Sequence, residues 1–206
     1  RAAGGAGGSA QVPLFAPNLS SAHFSMRKIA RLPMWPLMPT STAVIILLMS
    51  AASQSQKVSS PAKPEVTSSP MNSVRLKART APTILTPHEG EFIALFGRGQ
   101  GSKIERARAA AEASGCTIIF KGADTVVASP DGRIGLGARA AHWLASAGTG
   151  DVLAGVTAAM LARRMDSHDT GCAAVWLHAD AARRAGAGLI ADDICTQLPA
   201  ALATTL

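Results

Sequence analysis

The sequence has no tyrosine, few aromatic residues of any kind and only three cysteines among its 206 residues. Cys116, Cys172 and Cys195 lie far apart, and an odd number of cysteines without CxxC spacing argues against a disulfide framework and a zinc site. Each cysteine falls in an apolar pattern, which predicts a small buried side chain. The simpler inference is a reducing compartment, and we expect a cytoplasmic protein.

Acidic residues are almost absent from the first part of the chain. Residues 1–80 contain 9 Lys or Arg against 1 Asp or Glu, whereas residues 81–206 contain 11 against 12, so one end carries the formal charge of +7. A surface that binds nucleic acid usually combines clustered basic residues with aromatic side chains that stack on bases. The basic excess therefore indicates a tail or a foreign segment, and we predict no nucleic-acid partner.

Long hydrophobic runs are also lacking. The apolar run 43–49 is far too short to span a bilayer and predicts a buried strand. Together with Met26–Lys28 before it and Ser50–Ala52 after it, this run imitates a secretory signal. The imitation begins 25 residues inside the chain and is broken by prolines at 33, 36 and 39, so we predict neither a signal nor a membrane partner.

The chain has two parts that differ in composition and in hydrophobic periodicity. Residues 1–78 are basic and rich in Ser and Pro, with no lasting helix or strand period, so we expect an irregular or incomplete segment. Residues 79–206 alternate between strand and helix patterns. The predicted strands are 83–85, 117–120, 125–129 and 133–136. The predicted helices are a short one that ends at Phe96 after a turn over 86–92, about 104–113, one from about 151, about 170–185 and one from about 191. This alternation predicts an α/β domain with a largely parallel sheet covered by helices on its faces, and ligands at strand ends and helix starts.

A glycine-rich turn leads into the helix predicted from about Asp151. Gly148 and Gly150 lack a Cβ and lie where backbone N–H groups are unpaired, so a phosphate can approach the helix start closely. Asp151 would then lie beside that phosphate, where a carboxylate can take a proton from a hydroxyl. An ordinary helix start with an aspartate in its first turn explains this stretch equally well by itself.

Two more side chains are candidates, each with a plainer alternative. Lys121 follows the predicted strand 117–120 and could supply positive charge to a phosphate, but a solvated lysine at a strand end has the same pattern. His88 follows Pro87 in a turn before a helix, where contact with backbone at the surface is the alternative.

Four motifs occur in one order along the second part of the chain: residues 84–92, 121–126, 147–155 and 188–193. In this order and spacing they resemble the NAD(P)H-hydrate dehydratases of the ribokinase-like superfamily, over about residues 79–203. The resemblance implies a ribokinase-like layered sheet, largely parallel, with helices on both faces. It also implies a lyase that uses ADP or ATP with Mg²⁺ to phosphorylate the hydroxyl of hydrated NADH or NADPH, after which phosphate leaves and the dihydronicotinamide ring is restored.

The resemblance also implies roles for individual residues. Asp151 resembles the catalytic base and a substrate contact, and His88 a further substrate contact. The implied nucleotide site consists of Lys121, Gly122, Ala123, Asp124, Thr125, Gly148, Thr149 and Gly150. The metal ligands stay unassigned, and the expected partners are small molecules and further copies of the chain in a homo-oligomer.

The chain also departs from the family pattern. Residues 137–144 lack the asparagine and paired prolines that often precede the glycine turn, and residues 1–78 show none of the family's strand–helix units, glycine-rich substrate loop or acidic motif. The change near Arg79 suggests an out-of-frame segment, and retranslating the coding DNA in the other frames would test this; a divergent segment or a non-native tail is the alternative. A small-molecule kinase of the same superfamily and a non-catalytic remnant stay open as other functions.

Overall fold

The structure is a computed structural model that describes residues 45–47, 76–137 and 142–205. Its elements, in chain order, are β1 (Ile45–Leu47), β2 (Thr83–Leu85), α1 (Glu89–Phe96), α2 (Lys103–Ser114), β3 (Thr117–Phe120), β4 (Val126–Ala128), β5 (Ile134–Leu136), a 3₁₀ helix (His142–Ala145), α3 (Thr149–Ala162), α4 (Ser167–Ala185) and α5 (Ala191–Ala203). The predictions about residues 1–44 and 48–75, including most of the signal-like segment, concern residues outside the described ranges. The strand predicted over 43–49 is present as β1.

The helix starts follow local capping chemistry. The Ser102 side chain accepts a hydrogen bond from the Glu105 N–H, and Glu105 accepts from the Ser102 N–H in return, so the predicted capping box begins α2. Helix α4 begins three residues before its predicted start because the Asp166 carboxylate accepts from two N–H groups of its first turn. Helix α3 begins at Thr149 instead of Asp151, since Gly148 takes the left-handed conformation that admits the chain to the helix.

The sheet has five strands in the order β1-β2-β3-β4-β5. Strand β2 is parallel to β1 and to β3, as predicted, whereas β3, β4 and β5 form antiparallel neighbours. The antiparallel half contains the hairpin predicted at Pro130–Gly132, where the Gly132 N–H donates to the Ser129 carbonyl over 3.0 Å. The sheet is therefore mixed, with the parallel strands on one side and the hairpin on the other.

Helices cover both faces of this sheet because successive strand side chains point in opposite directions. Ile118 and Phe120 of β3 pack with α1 and α2, and the Phe92 and Phe120 rings stack 4.1 Å apart. Ile119, between them in sequence, packs in the second core with α3, α4 and α5. Both cores consist of buried residues on opposite faces of the sheet, and the predicted two-faced α/β architecture is confirmed.

Not all cysteines are buried as predicted. Cys116 is buried and Cys172 is partly buried, but Cys195 is exposed. It follows the fully buried Ile194 on α5, and one residue along a helix turns the side chain away from the core. The expectation of burial is therefore wrong for Cys195.

The carboxyl ends of β2 and β3 meet at one edge of the sheet because these strands are parallel. The chain leaves β2 towards His88 and leaves β3 at Lys121, and the Lys121 N–H donates to the Pro87 carbonyl over 2.8 Å. The two strand-end segments that sequence analysis singles out are thus joined directly. Within the described ranges, no helix combines the length and apolar character needed to cross a bilayer.

Candidate active site

The first turn of α3 keeps two backbone donors available. No side chain caps it, and the N–H groups of Asp151 and Val152 both donate to the Gly148 carbonyl, at 3.0 and 3.2 Å. In the part of the chain that the structure describes, no group accepts a hydrogen bond from the N–H of Thr149 or Gly150. Together with the positive end of the helix dipole, these two N–H groups suit an anion.

Thr149 fixes this turn to its surroundings. Its hydroxyl lies 2.8 Å from the Leu144 carbonyl and 2.9 Å from the Ser146 carbonyl, so it donates into the segment that precedes the helix. Its own carbonyl lies 2.8 Å from Nε2 of His178 on α4. The 3₁₀ helix, α3 and α4 are therefore linked through one residue.

Lys121 brings a cation to the same turn. Its Nζ lies 3.5 Å from a carboxylate oxygen of Glu91, and its side chain is 22% exposed. A Cβ at Gly150 would lie only 3.2 Å from this Nζ, so the absence of a side chain at position 150 leaves room for the lysine. The Lys121 ammonium group and the free N–H groups of Thr149 and Gly150 therefore lie together at the start of α3.

The segment that follows Lys121 is held by local and long-range contacts. The Thr125 hydroxyl donates to the Gly122 carbonyl over 2.9 Å. Nζ of Lys103, at the start of α2, donates to the Lys121 carbonyl at 3.2 Å and contacts Asp124 Oδ1 at 2.7 Å. The hydrogen bond from Lys103 lowers the pKa of Asp124 below its usual value.

These groups border a cavity of about 390 Å³. Six residues of the implied nucleotide site line it: Lys121, Gly122, Ala123, Thr125, Thr149 and Gly150. The other lining residues are His142, Leu144, Ala145, Leu153, Val175, His178 and Ala179. Sequence reasoning did not assign these seven residues, since an apolar side chain on a helix face gives no sign that it borders a cavity. His142 and His178 are the polar residues among the seven, and their sequence positions indicate no more than satisfied or exposed histidines.

Burial determines the state of His178. Loss of hydration lowers its pKa, the hydrogen bond with Thr149 opposes that change, and the charge of Lys121 lowers the pKa further. The net direction is downward, so the imidazole is neutral at physiological pH.

The remaining predicted site residues lie around the cavity without lining it. Asp151 is exposed in the first turn of α3, next to Gly150. Asp124 is also exposed and pairs with Lys103. Gly148 is the residue before α3, and a Cβ there would lie 3.1 Å from that of Ala191.

His88 begins helix α1. Its Nδ1 accepts from the Glu91 N–H at 3.2 Å, and Glu91 accepts from the His88 N–H at 2.7 Å. These are the backbone contacts of the plainer alternative for His88, and its side chain is 60% exposed. A role for His88 in substrate binding stays a prediction.

The residues present offer no complete cage for a metal ion. Among the described residues, no group of three or more His, Cys, Asp or Glu side chains is arranged to hold one. Mg²⁺ commonly keeps several waters and binds through substrate phosphates with one or two carboxylates. A magnesium ion at this site would therefore depend on the nucleotide for most of its ligands.

Comparison with known proteins gives a consistent result. The profile of the NAD(P)H-hydrate dehydratase family matches residues 67–201. The bifunctional NAD(P)H-hydrate repair enzyme Nnr of Mycobacterium tuberculosis is 44% identical over 90 residues, which are 43% of this chain and 19% of that protein.

Solved structures agree in fold. The ADP/ATP-dependent NAD(P)H-hydrate dehydratase from Bacillus subtilis, co-crystallised with ATP and Mg²⁺, superposes with a TM-score of 0.58 and 33% identity over 62% of this chain and 50% of that chain. A ribokinase-like superfamily protein from Enterococcus faecalis shares the fold at 24% identity, with a TM-score of 0.55 over 65% of this chain and 49% of the other. The fold is therefore ribokinase-like, and this chain spans about half the length of these structures and a fifth of the mycobacterial relative.

Proposed function

Because the chain belongs to the NAD(P)H-hydrate dehydratase family, we propose that it uses ADP or ATP to dehydrate hydrated NADH or NADPH, as a repair lyase. One observation carries this proposal: six residues of the implied nucleotide site line a single cavity at the start of α3. The family match also favours dehydration over the reaction of a general small-molecule kinase. We also propose that residues 79–206 form a ribokinase-like catalytic half-domain.

The cavity offers what a nucleotide phosphate requires. The free N–H groups of Thr149 and Gly150 and the Nζ of Lys121 provide hydrogen-bond donors and positive charge at one place. Phosphoryl transfer depends chiefly on positioning and on stabilisation of charge at the transferring group. We assign the terminal phosphate to these donors at the start of α3. The rest of the nucleotide would occupy the cavity bordered by residues 121–125.

Asp151 would act as the base of the first step. The hydrate hydroxyl loses its proton to the Asp151 carboxylate while its oxygen bonds to the terminal phosphorus, and the bond from that phosphorus to the nucleotide's bridging oxygen breaks. In the second step the phosphorylated hydrate loses phosphate with the electrons of the C–O bond. Loss of a proton from the neighbouring ring carbon then restores the double bond of the dihydronicotinamide.

The exposed position of Asp151 fits the approach of a substrate from outside the nucleotide cavity, since the residue follows Gly150 in the same helical turn. Magnesium, when bound with the nucleotide, would neutralise part of the phosphate charge. We also propose a homo-oligomer and a cytoplasmic location, and light scattering of the purified chain would test the former.

Recovery of NADH absorbance tests the reaction. The purified chain is incubated with hydrated NADH, Mg²⁺ and either ADP or ATP, beside Asp151→Asn and Asp169→Asn. Asp169 is the matched control because it occupies the third position of α4, as Asp151 does in α3. We expect recovery with the parent chain and with Asp169→Asn and a loss of at least about 100-fold with Asp151→Asn. Recovery that survives Asp151→Asn would contradict the role of the base.

A second candidate function is nucleotide binding without turnover. It is favoured by residues 1–78, in which none of the family's strand–helix units or substrate-loop motifs is visible. ADP binding measured by calorimetry, together with an absence of NADH recovery in the folded protein, would favour this candidate over the first.

A further inference from the structure

His178 is a buried side chain in the cavity wall for which neither the sequence motifs nor the proposed reaction gives a role. It lies on α4, is 7% exposed and places Nε2 at 2.8 Å from the Thr149 carbonyl. A carbonyl oxygen only accepts hydrogen bonds, so Nε2 carries the hydrogen and donates it. This contact joins α4 to the first turn of α3.

Thr149 is the residue through which this turn can be held. Its neighbours Gly148 and Gly150 have no side chain to anchor the backbone, and glycine has more conformational freedom than any other residue. The Thr149 hydroxyl is bound to the carbonyls of the preceding segment, and the peptide after Thr149 is held through its carbonyl, which bonds within α3 and also accepts from His178. That peptide supplies the N–H of Gly150.

We infer that His178 is a positioning residue of the nucleotide site, whose Nε2–H holds the Thr149 carbonyl and thereby aims the N–H groups of the first turn of α3 at the phosphates. The inference rests on the proposed function and adds to it a residue that acts through Thr149. Because His178 is neutral, it supplies this restraint without adding a second full charge beside Lys121.

Two substitutions separate positioning from packing. His178→Leu keeps a side chain of similar size but removes the donor, whereas His178→Gln keeps an N–H donor near the place of Nε2. We expect His178→Leu to weaken ADP binding about three- to tenfold, the effect of one hydrogen bond, and His178→Gln to recover most of that loss. Adenosine, which has no phosphate, should bind both variants and the parent chain with similar affinity.

His168→Leu is the matched control. His168 is also a buried histidine of α4, but it contacts Ser129 and Cys172 and does not line the cavity. The His168→Leu substitution should lower the stability of the protein while leaving the ratio of ADP affinity to adenosine affinity unchanged. An equal loss for ADP and adenosine with His178→Leu, or a His178→Gln variant as weak as His178→Leu, would overturn the inference.

Nitrogen NMR of the parent chain tests the inference even if a variant fails to fold. The ¹⁵N shifts of His178 should show the tautomer protonated at Nε2, and ADP should slow exchange of that hydrogen. A tautomer protonated at Nδ1 refutes the assignment. The proposed function fails separately, if the folded parent chain binds no ADP at all.

Discussion

Gly171 provides a sensitive test of how closely α4 packs against the sheet. It lies on the face of α4 that contacts β3 and β4, and a Cβ at this position would lie 2.8 Å from Cγ1 of Val127 and 3.5 Å from Cγ1 of Ile119. Real Cβ atoms essentially never approach within 3 Å of another side chain, and Val127 is 1% exposed. The β-branched side chain of Val127 has few accessible rotamers and therefore cannot easily move away from the added methyl group. We therefore expect Gly171→Ala to destabilise the protein.

Two opposing effects determine the size of this change. Overpacking a filled core costs about 1–3 kcal/mol, whereas alanine is favoured over glycine inside a helix by about 0.8–1 kcal/mol. The net expectation for Gly171→Ala is a loss of about 0–2 kcal/mol in the free energy of unfolding. Gly155→Ala is the matched control, because Gly155 lies inside α3 and, among the described residues, no atom beyond its chain neighbours and its own helix backbone lies within 4 Å of the added Cβ. It should stabilise by about 0.5–1 kcal/mol.

Urea unfolding measures both variants against the parent chain. The two free-energy changes should have opposite signs and differ by about 2 kcal/mol, with unchanged slopes. Adding Val127→Ala should reduce the cost of Gly171→Ala, since the crowded methyl group is then absent. Two results would contradict close packing of α4 on the sheet at Gly171: equal stabilisation by both glycine variants, or a loss of stability in Gly171→Ala that Val127→Ala does not change.

Stability should also depend on pH through His168, whose pKa is lowered by burial and by the charge of Arg133. The folded pKa lies below the unfolded value of about 6.5, so stability is complete above that pH and falls as the pH decreases towards the folded pKa; His168→Asn should flatten this decrease, and an unchanged slope would contradict the assignment. Thiol reactivity should differ among the cysteines, because Cys195 is exposed whereas burial raises the pKa of Cys116 and raises that of Cys172 to about 12. Ellman's reagent should modify one thiol quickly in the native chain, Cys195→Ser should abolish that phase, and the other two should react only on unfolding.

Local signals in the sequence predicted most of the elements. The capping box of Ser102 and Glu105, the turn at Pro130–Gly132 and the continuous apolar run 117–120 each depend on residues that are close in the chain. The predictions erred by a few residues where a cap lay outside the apolar pattern, as at Asp166 before α4. The prediction for Cys195 is wrong because it directly follows the buried Ile194 and its own side chain faces away from the core.

For the candidate site, the sequence by itself determined which segments we propose to bind phosphate, since glycine spacing and the residues at strand and helix ends are local properties of the chain. Only the tertiary structure decided which of these residues share a cavity. It brings Lys121 to Gly150 and leaves Asp124 on Lys103, because helix packing sets these distances across segments far apart in sequence. The same packing places His178 against Thr149, a contact between two helices that no spacing of residues along the chain could indicate.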